Sequence, residues 1–126
     1  MKKEIIFSDK APKAIGPYSQ AVKFGNMCFL SGQIAIDPAT QEYTPADAAA
    51  ETKQIMSNIE AVLAAAGLSF EHIIKTSIFL KDMNDFGSVN EVYASYFSSD
   101  FPARETVQVS VLPKNARVEI SVIAAQ

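Results

Sequence analysis

The residues best placed to do chemistry lie in the last third of the chain. Arg104, Thr106, Gln108 and Ser110 alternate with Val107, Val109 and Val111, a period of two that predicts a strand over 104–111 with a polar and an apolar face. Over 117–124, Arg117, Glu119 and Ser121 alternate in the same way with Val118, Ile120, Val122 and Ala124. A guanidinium can hold a carboxylate through two parallel N–H···O bonds, fixing orientation as well as charge, which a lysine cannot reproduce. A glutamate can hold a water and accept its proton. Arg104 and Glu119 together therefore suit the addition of water to a small organic acid. The same pair also reads as a structural ion pair or as solvated strand ends.

If helices cover the valine faces of both strands, Arg104 and Glu119 project from the same uncovered side. Paired as a hairpin, the strands would set Gln108 opposite Glu119, with Arg104 about 13 Å further along. Either the two side chains reach toward each other across that gap, or a neighbouring subunit closes the site.

The elements that must position these residues follow from the rest of the chain. Lys3 to Phe7 is predicted as a short strand, and Ala11 to Gln20 as a loop punctuated by Pro12, Gly16 and Pro17. Ala21–Phe24 and Met27–Ser31 flank Gly25-Asn26, a two-residue hairpin turn. Gly32 to Tyr43 is expected to be irregular. A helix begins near Thr44, a candidate cap, with Pro45 at its first position and Asp47 in its first turn. Ile55, Ile59, Val62, Leu63 and Ala66 form its apolar stripe and Gly67 ends it. Ile73 to Lys81 reads as a strand with apolar residues on both faces, hence an internal one. Phe86 to Phe97 reads as a second helix with Val89, Val92, Tyr93 and Tyr96 inward. The order β-ββ-α-β-α-ββ predicts an α+β fold: one mixed sheet, with both helices on one face. The other face is left bare, which invites oligomerisation.

Composition narrows the function. The chain has 126 residues, read as one domain over 1–126, with 48% hydrophobic and 20% charged residues and a formal net charge of −3. That balance disfavours nucleic-acid binding through a general basic field. Cys28 is the single cysteine and lies in an apolar run, where it reads as a small buried hydrophobe. His72 is the single histidine, and no Cys/His cluster has metal spacing, so no metal site is expected. The apolar run at the N-terminus is too short for a signal peptide or a membrane span. The cytoplasm is the expected compartment, with no membrane partner.

Several stretches carry a family resemblance. They are Ala14-Ile15-Gly16-Pro17-Tyr18-Ser19-Gln20-Ala21, Leu30-Ser31-Gly32-Gln33-Ile34, Lys81-Asp82-Met83-Asn84-Asp85-Phe86, and Phe101-Pro102-Ala103-Arg104-Glu105-Thr106-Val107-Gln108-Val109. Leu112-Pro113, Val118-Glu119-Ile120 and Ile123-Ala124 follow. In order and spacing these motifs resemble the RidA/YjgF family over nearly the whole chain. The resemblance implies a chorismate-mutase-like fold and a homotrimer with sites in the clefts between subunits. It implies hydrolysis of 2-iminobutanoate, 2-iminopropanoate and related enamines to 2-keto acids and ammonia, without metal or cofactor. Arg104 matches the family's carboxylate-binding arginine and Glu119 the glutamate that positions water. Tyr18, Ser31, Gly32, Asn90 and Thr106 match positions that line the pocket. In many relatives the Thr106 position is cysteine; threonine here points to the backbone amide as the working group. Two other readings compete: a non-catalytic trimer that binds small carboxylates or regulates a partner, and the RNA cleavage or translation inhibition attached to some family members. The acidic balance and the lack of a histidine pair disfavour the last.

Overall fold

The computed structural model describes residues 2–126. Its elements are β1 (Lys3–Ile6), β2 (Ala21–Phe24), β3 (Met27–Leu30), β4 (Ile36–Asp37), β5 (Glu42–Tyr43), α1 (Ala48–Ala65), β6 (Ile73–Leu80), α2 (Phe86–Ala94), β7 (Ala103–Gln108) and β8 (Val118–Ala125). Six strands form one mixed sheet in the order β1-β2-β3-β8-β6-β7. The fold is α+β, with both helices on one face. The stretch expected to be irregular contains a further small hairpin, β4–β5.

β7 and β8 do not pair as a hairpin. β6 lies between them, antiparallel to β8 and parallel to β7, so Leu80 rather than Glu119 is the neighbour of Gln108. The strand with apolar residues on both faces is thus internal, as predicted. Its alternation slips at a bulge between Ile73 and Lys75, which leaves Ile74 48% exposed.

The helices cover Thr76, Ile78 and Leu80 of β6 and Val118, Ile120, Val122 and Ala124 of β8, all buried. Against them α1 sets Ile55, Met56, Ile59, Val62 and Leu63, each fully buried, and α2 sets Val89 and Tyr93. The cap of α1 is Asp47 rather than Thr44: its side chain accepts the Ala50 N–H at 2.8 Å. Pro45 therefore precedes the helix. At the other end Gly67 takes φ 76°, while the Gly67 and Leu68 amides reach back to the Ala64 and Leu63 carbonyls. That is a Schellman close, which needs a left-handed residue where the glycine stands.

One buried carboxylate ties these layers together. Glu51 is 1% exposed. It accepts the Tyr43 hydroxyl at 2.6 Å and the Arg117 N–H at 3.1 Å, joining α1 to β5 and to the start of β8. Burial, and then the Glu51 carboxylate, push the Tyr43 phenol up to about 12.

The bare face of the sheet is read off the strand register. One row runs Ile5, Val22, Phe29, Ile123, Lys75, Ala103; the next Ser121, Ser77, Glu105; the next Glu119, Phe79, Val107. Ile5, Phe29 and Val107 are over 40% exposed.

Candidate active site

Arg104 and Glu119 do not share a face. Arg104 is level with Thr76 and Val122, on the side the helices cover. Glu119 is level with Phe79 and Val107 on the bare side. The expectation of a common face held for β8 but not for β7. In β7 the valine row turns to the bare side, while Arg104 in the other row packs beneath α2 against Asn90 and two aromatic rings.

Two half-sites result. In the first, Arg104 lies under α2, in a pocket of about 420 Å³ lined by Asn90, Tyr93, Ala94, Phe101, Pro102 and Arg104. Its Nη1 donates to Asn90 Oδ1. Its Cζ lies 5.3 Å from the centroid of Tyr93 and 5.7 Å from that of Phe86. Among the described residues no carboxylate pairs with it. Thr106, two residues on, points the same way, but its Oγ1 is buried without a hydrogen-bond partner and it lies outside the pocket lining.

The second half-site is a pocket of about 370 Å³ around Glu119 and Gly32, with Tyr18, Ile34, Lys13 and Lys114 among its walls. Gln33 pairs through both backbone groups with Ile120, at 2.8 and 3.0 Å, which sets Gly32 beside Glu119. A Cβ at Gly32 would lie 2.9 Å from Glu119 Cδ and collide with its carboxylate, so any side chain there would displace the carboxylate from its observed position. Burial alone pushes the Glu119 carboxyl above its ordinary value. Among the described residues neither lysine forms a salt bridge with it. A desolvated carboxylate of raised pKa suits proton acceptance from water.

Tyr18 lines this second pocket at 53% exposure. Ser31 does not; its Oγ donates to the Ser19 carbonyl at 2.6 Å and its N–H to the Gln20 carbonyl at 3.0 Å, so it pins the loop that carries Tyr18. Gln20, buried, does the same from inside, bonding Ser8 and the Pro12 carbonyl. Within one chain, then, Asn90 joins Arg104, and Tyr18 and Gly32 join Glu119, but the two groups remain apart.

The sequence profile of the Endoribonuclease L-PSP family matches residues 8–126. The chain belongs to this family, the RidA/YjgF family. Among RidA/YjgF relatives, it is 56% identical to protein DfrA of Myxococcus xanthus, over 98% of this chain and 96% of that one. It is 46% identical to the 2-iminobutanoate/2-iminopropanoate deaminase of Mus musculus, over 98% and 92%. The crystal structure of E. coli TdcF with bound serine superposes with a TM-score of 0.93 at 44% identity, covering 98% of each chain. The fold is thus that of the RidA/YjgF family. Its members carry several functional names, deaminase and endoribonuclease among them.

Proposed function

We propose that the protein hydrolyses small 2-imino acids to 2-keto acids and ammonia, at a site that two copies of the chain build together. The observation that carries this is the split itself. A carboxylate-seeking guanidinium and a desolvated carboxylate lie in separate pockets on opposite faces of the sheet, so one copy cannot apply both to one substrate. The bare apolar face supplies the surface for association, and joining two different patches of one chain is the kind of contact that closes into rings. The RidA/YjgF resemblance supports a trimer as that ring.

In this reading Arg104 of one subunit forks onto the substrate carboxylate. The neighbour's pocket brings Glu119 and a water to the adjacent C=N carbon. The water oxygen bonds to that carbon as its proton passes to Glu119. Glu119 returns that proton to the nitrogen, which takes a second from the new hydroxyl as the C–N bond breaks and the C=O bond forms, so that ammonia leaves the 2-keto acid. The imine is intrinsically reactive toward water, so holding both partners in place supplies most of what is needed. The deaminase name of the mouse relative, and the amino acid bound to the E. coli one, support a small α-carboxylate ligand.

The test is ammonia or keto-acid release from 2-iminobutanoate and 2-iminopropanoate generated in situ, with wild type and Arg104→Ala side by side. Acceleration by wild type alone supports the reading. No acceleration by either would favour a carboxylate-binding protein without turnover.

A further inference from the structure

The α2 residues that meet Arg104 are Phe86, Asn90 and Tyr93, spaced i, i+4, i+7 and so stacked along one face of the helix. The central one accepts a hydrogen bond from Nη1, and the outer two present ring faces to the guanidinium at 5.7 and 5.3 Å. Tyr93 is itself fixed: it is 3% exposed and its hydroxyl donates to the buried Thr76 at 2.8 Å. Phe86 is 38% exposed, outside the pocket lining, and meets Arg104 from the solvent side. A long, flexible arginine ordinarily loses much rotamer freedom when it grips a ligand. Here one N–H is engaged and the ring faces are attracted to the cation. The remaining in-plane donors are free for an incoming carboxylate.

We infer that Phe86 and Tyr93 are positioning residues that hold the Arg104 guanidinium ready for the substrate carboxylate, an assignment that rests on the deaminase reading. Neither ring touches the reacting C=N bond; each acts through Arg104. The effect therefore belongs in substrate and product affinity rather than in turnover.

The test uses the full chain with three variants. Phe86→Leu keeps apolar bulk and removes the ring, Phe86→Tyr keeps a ring, and Tyr93→Phe keeps the ring but drops the bond to Thr76. KM for the imine, and the dissociation constant of 2-oxobutanoate by calorimetry, should rise about two- to fivefold in Phe86→Leu, the worth of one partly exposed cation–π contact. The kcat should hold. Phe86→Tyr should restore wild-type values, and Tyr93→Phe should lose stability but not affinity. In parallel, the Arg104 Nε–H NMR signal should carry a ring-current shift that diminishes in Phe86→Leu and returns in Phe86→Tyr. A wild-type KM in Phe86→Leu overturns the assignment, as does a raised KM that Phe86→Tyr fails to restore. If wild type neither turns over the imine nor binds the keto acid, the deaminase reading fails. The NMR arm alone then decides whether the rings hold Arg104.

Discussion

Mixing two inactive variants should restore activity if Arg104 and Glu119 act from different subunits. In one chain these residues are two strands apart, about 10 Å across the sheet, and their cross-strand partners Thr76 and Phe79 are three residues apart on β6, about 10 Å along it. Their side chains then diverge to opposite faces, so no rotamer change brings them to one small molecule. Arg104→Ala and Glu119→Ala homo-oligomers each lack one half of every site. Co-expressed in equal amounts under two affinity tags, they assemble hybrids. A site is intact where a subunit retaining arginine meets a neighbour retaining glutamate on the correct side. In a three-membered ring every hybrid, whether two-to-one or one-to-two, has a single correct junction, so about one third of the sites in the doubly tagged pool are whole. Keto-acid release by the doubly tagged pool should reach roughly that fraction of wild type, against background for either variant alone. Doubly purified hybrids that stay at background would refute the shared site.

Three further outcomes follow from the same geometry. In Gly32→Ala the new methyl collides with the flexible end of Glu119 rather than with backbone; the fold should survive, while turnover falls by about 10²-fold because the carboxylate is displaced, measured as kcat beside an unchanged thermal melt. Glu119 has a raised pKa from burial, so the native state binds more protons than the unfolded chain between the ordinary and the raised value. Wild-type stability must fall as pH rises through that window. Glu119→Gln removes this slope, and should melt higher than wild type at neutral pH but not below the ordinary carboxylate range; a gap independent of pH would contradict the desolvation. Thr106→Val replaces a buried hydroxyl that has no partner. It should be neutral or stabilising by about 1 kcal/mol in urea denaturation, with turnover intact, which would leave only the backbone of that residue to serve the site.

The local elements were legible because each rests on short-range signals. Gly25 turns the first hairpin with φ 61°, Gly67 closes α1, and alternation defines β8. The α1 cap shifted from Thr44 to Asp47 because both residues suit a cap, and only the observed bond to Ala50 decides between them. Strand pairing was not legible. Alternation fixes which residues share a face of one strand, but not which face meets the helices when both rows are plausible. On β7 the arginine row lies beneath α2, where aromatic rings and Asn90 satisfy the guanidinium. The buried Glu51 had a readable sign: it stands four residues before Ile55, on the apolar stripe of its helix. Gln20 had none, since a glutamine before a strand ordinarily faces water.

The features that make the proposed site are also the features that burden a lone chain. Glu119 sits desolvated with no cation to offset it. Arg104 has no carboxylate partner among the described residues. Phe29, Val107 and Phe101 lie over 40% exposed. A half-buried carboxylate without a partner costs free energy, apolar surface left in water forfeits about 25 cal/mol per Å², and Arg104, though held by Asn90 and two rings, keeps donors unused. In the proposed assembly, association would cover the apolar rows and bring the Arg104 guanidinium of one copy toward the Glu119 carboxylate of the next, where a substrate carboxylate and its water would meet them. The same interaction energy that favours the assembly would thereby hold the two half-sites in register. Loosening it at a distance, for instance on the Ile5–Val22–Phe29 row, should then cost activity along with oligomeric state.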